Sequence, residues 1–138
     1  MERQRLALSL VALHLLLTVL HGVVHAAVPL YPVGWKAMVA AVVLYLLPVL
    51  GAGLVVNGYR RVGAVFLVSA GLAGFVFEGV FHFVLVNPDH VSHVTNQRMA
   101  FDLTAALTTG GDLLLVGAAW FGVPVTGRLG KYASSTIE

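Results

Sequence analysis

The sequence predicts an all-α integral membrane protein, a four-transmembrane-helix up-down-up-down bundle. Three observations predict it. Of 138 residues, 59% are apolar and only 10% are charged, where a soluble domain carries about 25% charged residues. Mean hydropathy is +0.91, which leaves little surface fit to face water. The apolar residues gather into four stretches of about 20, the length a helix needs to cross the hydrocarbon layer. Short segments join the stretches, so helices adjacent in sequence pack antiparallel. The chain therefore reads as one transmembrane domain, residues 1–138.

The first span covers about residues 6–28 and stops at Pro29. Arg3 and Arg5 precede it, as in a signal peptide, but its apolar run exceeds the ~7–15 residues of a signal core. The second span, 37–56, ends before Asn57-Gly58 and contains Pro48. A proline inside a helix kinks it or leaves a carbonyl without its donor. The third span, 62–86, ends before Asn87-Pro88, and the fourth, 100–123, before Pro124. Gly, Pro and Asn are the expected helix stops. Gly71, Gly74 and Gly79, then Gly110, Gly111 and Gly117, are small residues of the kind that let helices approach closely in lipid.

Positive charge sets direction. Arg3 and Arg5, Arg60 and Arg61, and Arg128 and Lys131 all fall on one side of a four-span chain, while Lys36 and Arg98 fall on the other. Both termini are therefore expected in the cytoplasm, with the protein in the plasma membrane. Tyr31, Trp35, Tyr59 and Trp120 lie near span ends, as interfacial aromatics do. Lys36 and Arg98 are expected to snorkel to headgroups.

Several classes are excluded. The pI near 9.3 rests on a net charge of only +2, and no basic–aromatic tract exists to follow a phosphate backbone. Nucleic acid is not an expected partner. Without cysteine there are no disulfides, thiolate metal sites or c-type haem attachment. No Walker loop, nucleophile elbow or dinucleotide fingerprint occurs.

What remains is an unusual set of polar residues inside the spans. At 100° per residue, His14, Thr18, His21 and His25 form one stripe on the first span. Glu78 and His82 share a face of the third, and Asp102, Thr109 and Asp112 lie roughly on one side of the fourth. At ~1.5 Å of rise per residue, His21, His25, Glu78, His82 and Asp102 fall at matched depths in the outer half of the bilayer. An intramembrane Asp, Lys or Arg costs roughly 2.5–3.5 kcal/mol on insertion scales and almost always faces the bundle interior.

Two cofactor chemistries fit. In one, His21, His25 and His82 with Glu78 or Asp102 bind zinc, iron or copper, metals that imidazole suits. Histidines at i and i+4 can share an ion, and Glu78 is then a base or proton carrier. In the other, His25 and His82 are axial ligands of haem b, with Gly22, Gly74 and Gly79 making room. The Glu78–His82 spacing is i, i+4, unlike the i, i+3 pairs of di-iron bundles. His14, Asp112 and the loop residues His90 and His93 are secondary candidates. Asp89, His90 and His93 are expected in a solvated loop.

Three functions follow as expectations: a redox or enzyme-like membrane metalloprotein, an accessory subunit of a larger membrane complex, and a proton-coupled or ion transporter. The bilayer is the expected partner throughout, with a homo-oligomer or larger complex behind the second and third. The plain alternative for the polar residues is hydrogen bonding across helices that fixes register, at about 0.6 kcal/mol each.

Overall fold

The computed structural model describes residues 2–28 and 34–122. Pro29, Tyr31, Pro124, Arg128 and Lys131 lie outside the described residues. Four helices, each long and apolar enough to cross a membrane, make up the described chain: α1 (Glu2–Ala27), α2 (Trp35–Val56), α3 (Arg60–Val84) and α4 (Arg98–Gly122). Each begins two to four residues before its apolar stretch, because helical hydrogen bonding continues into flanking polar residues. Glu2 sits in the first turn of α1, where an acid complements the helix dipole.

Two helices are not uniformly α. Ala41–Leu46 of α2 and Val80–Val84 of α3 adopt the wider π form, which is frequent at functional sites. In α2 the π stretch runs up to Pro48. Proline has no N–H for the carbonyl four residues back, that of Leu44. Leu44 O instead accepts the His14 Nε2–H at 3.1 Å, so the carbonyl that Pro48 leaves free is taken by the neighbouring helix.

The helices alternate in direction. Along the α1–α4 seam, Leu17 lies against Gly111, Leu10 against Gly117 and Ala7 against Gly122. Seams α2–α3 and α3–α4 are closer still. A Cβ on Gly63 would sit 2.6 Å from the Gly51 carbonyl oxygen, and one on Gly71 would sit 2.6 Å from that of Asp112. Gly110 has nothing within 4 Å of its Cβ position and plays no part in packing. The α1–α2 seam is the loosest, and its gap becomes a cavity.

Two apolar clusters hold the bundle. Ala7, Val11, Val55, Leu67, Ala70, Leu115, Ala118 and Ala119 fill the half nearer the α2–α3 turn. Val28, Val94, Phe101 and Ala105 close the opposite, distal end. Large apolar side chains such as Leu16, Val23, Val65 and Val84 point outward, as suits helices solvated by acyl chains. Trp35, Tyr59 and Trp120 are exposed. The buried polar residues form a layer between the two clusters.

Candidate metal centre

His21 and His25 follow one another by a turn on the inner face of α1. His82 comes to them from the π stretch of α3, which turns its side chain inward; it is buried, as is His21. One ligand nitrogen from each of the three lies within 4.8 Å of the others. His21 Nε2 is 3.2 Å from His82 Nε2, and His25 Nε2 is 3.3 Å from the same atom. Two ligands of a tetrahedral ion with bonds of about 2.0–2.1 Å stand about 3.3–3.4 Å apart. The observed separations match that edge. Phe101 of α4 lies beside all three rings, at centroid distances of 5.4, 4.9 and 5.7 Å from His21, His25 and His82.

The other ring nitrogens fix the tautomers. His82 Nδ1 is 3.0 Å from the Glu78 carbonyl, which can only accept, so Nδ1 carries the hydrogen. His21 Nδ1 is 2.9 Å from Thr104 Oγ1. That hydroxyl spends its own hydrogen on the Ala100 carbonyl at 2.7 Å, so it accepts from His21. In their neutral forms both rings therefore aim a bare Nε2 lone pair at the other across 3.2 Å. Such an arrangement is repulsive unless a cation stands between. Metal-bound histidines show the same pattern, with the far ring nitrogen donating to an oxygen.

Glu78 is one turn along α3 from His82. Its carboxyl is buried and Oε2 has no hydrogen-bond partner among the described residues. Beyond it, His14 Nδ1 stands 3.4 Å from Asp112 Oδ1, and both side chains are fully buried. His14 Nε2 donates to Leu44, while His14 Nδ1 and both Asp112 carboxyl oxygens have no hydrogen-bond partner among the described residues. Asp112 packs on Gly74, where a Cβ would lie 2.6 Å from its carboxylate. Thus Gly74 accommodates Asp112 and opens no space for a macrocycle, and Gly79 meets Thr109 at 3.7 Å. Of the three glycines, Gly22 alone lines the cavity beside the triad.

Asp102 is not brought to the cluster. Its Oδ2 lies 3.5 Å from Arg98 Nε, on a side chain 39% exposed. The rotation of α4 that buries Phe101, Thr104, Ala105 and Thr108 turns Asp102 away. Arg98 engages that carboxylate, and Thr104 stands beside His21 where an acid was expected. Sequence reasoning passed over Thr104 and Phe101. The spacing of Thr104, Thr108 and Asp112, four residues apart each time, was a usable signal for that face.

The loop after α3 also departs from expectation. Asp89 is buried rather than solvated, and Lys36 turns inward to it at 2.9 Å instead of snorkelling outward. Lys36 Nζ lies 4.4 Å above the Phe81 ring, which shields the ion pair. His90 pairs with Ser92, and His93 Nδ1 donates to the Asn87 carbonyl at 2.8 Å. Neither His90 nor His93 belongs to the triad.

A cavity of about 310 Å³ opens beside the three histidines, bounded by α1, α2 and α3. His21, His25, His82, Glu78 and Tyr45 all face it. The three imidazoles could hold a metal ion beside this cavity. Comparison with protein-family models, curated proteins and solved structures finds no match for the chain.

Proposed function

We propose that this protein is a membrane-embedded metalloprotein whose three-histidine centre binds one first-row transition-metal ion and keeps a fourth position open. The observation that carries the reading is the convergence of His21, His25 and His82 nitrogens at 3.2 and 3.3 Å, with the outer nitrogens of His21 and His82 held by oxygen acceptors. Three histidines and one open position is the ligand pattern of catalytic rather than structural zinc sites. A bound ion there would supply Lewis acidity. Glu78, with Oε2 unpartnered among the described residues beside the same cavity, is the group to accept or return a proton. With both termini cytoplasmic, the centre sits in the outer half of the plasma membrane.

Geometry favours a lone ion over haem b. A macrocycle between His25 and His82 would have to displace His21, whose ring centroid is 4.6 Å from the first and 4.9 Å from the second. A through-membrane path for protons is favoured less, because the polar layer ends at Asp112 and His14. Beneath them lies the apolar cluster around Leu67 and Leu115.

The test is elemental analysis and a visible spectrum of protein purified in mild detergent, followed by cobalt titration. We expect close to one equivalent of a transition metal, and at least a tenfold loss of cobalt affinity in each of His21→Ala, His25→Ala and His82→Ala, with helical content retained. A metal-free protein that takes up no cobalt would overturn the reading. A Soret band would replace it with haem.

A further inference from the structure

The cavity beside the triad has two sides with opposite character. At the distal end it is bolted. Lys36 Nζ is held by Asp89 Oδ2 at 2.9 Å and Asn87 Oδ1 at 3.3 Å, and Phe81 lies beneath the ammonium. The route from water to the histidines therefore crosses a half-buried ion pair. Toward the bilayer the cavity is bordered by residues too small to close it. Gly22 and Ala26 of α1 and Ala37 and Ala41 of α2 all line the cavity and are all exposed. They face the loose α1–α2 seam at the level where acyl chains surround the bundle.

The lining joins apolar residues, Leu44, Phe77 and Phe81 among them, to the histidines, Tyr45 and Glu78. Glu78 lines the same cavity as the triad, and its Oε2 has no hydrogen-bond partner among the described residues on a residue 2% exposed. An acceptor left this way carries a desolvation cost, which a ligand hydroxyl would relieve. At about 310 Å³ the space is at the small end of ligand pockets, which run from about 300 to 1,000 Å³.

We infer that the centre takes a bilayer-dissolved amphiphile, an alcohol or phenol with an apolar body, which enters sideways between α1 and α2. Its oxygen occupies the fourth position and its hydroxyl pairs with Glu78 Oε2, while the apolar body lies along Leu44 and Phe77 and extends out through the window at Gly22 and Ala41. Water-soluble ligands are disfavoured by the Lys36–Asp89 bolt. This inference rests on the metal reading above.

The experiment uses cobalt-loaded full-length protein in lipid nanodiscs, with the cobalt d–d bands as readout. Two hydroxyl-bearing metal ligands are compared, decanohydroxamic acid, which partitions into the bilayer, and acetohydroxamic acid, which stays in water. Ala41→Phe fills the window from an exposed position, and Leu72→Phe on the outer face of α3 is the control. We expect decanohydroxamic acid to shift the bands of wild type and Leu72→Phe, and to need at least a tenfold higher lipid mole fraction in Ala41→Phe. Acetohydroxamic acid is expected to act weakly and equally on all three. An equal response to the long-chain probe in Ala41→Phe and wild type would overturn lateral access. So would a cobalt centre that forms normally and ignores the long-chain probe, and here the metal reading survives. Failure of wild type to bind cobalt removes the metal reading itself, and the inference with it.

Discussion

At the scale of single residues, His21 and His14 are two histidines on one stripe of one helix with different work. His21 donates through Nδ1 to Thr104, which frees Nε2 for the cluster. His14 donates through Nε2 to the Leu44 carbonyl, its Nδ1 faces Asp112 Oδ1 at 3.4 Å, and it is not one of the three clustered histidines. Thr104→Val removes the acceptor that orients His21. Losses of this kind cost about 10- to 100-fold in metal affinity, and competition with a chromogenic chelator will measure it. Conversely, His14→Ala leaves the Leu44 carbonyl without its donor in the core. That change is expected to cost about 1–3 kcal/mol of stability in detergent unfolding while cobalt affinity stays within twofold of wild type. The sequence stripe held both histidines. It contained nothing to separate their roles, because the distinction rests on acceptors contributed by α2 and α4.

Helix packing is decided by backbone proximity at a few glycines. Gly63 faces the Gly51 carbonyl, and a methyl group there meets backbone that cannot move aside. Gly63→Ala is expected to destabilise by about 1–3 kcal/mol, the usual cost of overpacking, and Gly110→Ala to stay within about 0.5 kcal/mol of wild type. Paired unfolding curves of the two variants will show the difference. Small residues were legible in the sequence as a class, yet which of them touch another backbone depends on helix rotation. Rotation also explains Asp102. The one-sided grouping of Asp102, Thr109 and Asp112 was broad enough to admit it, and burial of Phe101 then turned its carboxylate outward to Arg98. The π stretch that carries His82 was not legible in the sequence, because the widened turn has no residue-type signature of its own. Pro48 was the exception. Its missing N–H announced a free carbonyl, and the structure supplies His14 as the donor.

For the whole molecule, the proposed direction across the membrane rests on the arginines expected on one side. The chain has no cysteine, so single-cysteine variants report cleanly. In intact cells His93→Cys should react with a membrane-impermeant maleimide, and Asn57→Cys only after permeabilisation. The opposite pattern would invert the bundle and put the metal centre in the inner half. Matched depths on α1 and α3 were readable from rise per residue, which is why His21, His25 and His82 could be grouped in advance. The lateral window was not readable, because it arises from a seam that two helices fail to close.

By itself, the sequence determined that four helices can cross a membrane, how they alternate, and which ionisable residues lie inside them. Hydropathy, helix periodicity and the cost of burying charge are local properties that need no partner. Only the tertiary structure decided which faces meet. It set His82 against His21 and His25, gave Thr104 the place expected of an acid, sealed the core below Asp112 and left the α1–α2 seam ajar. Each of these depends on rotation and close approach between helices distant in sequence, which only the packing of backbone and side chains together fixes.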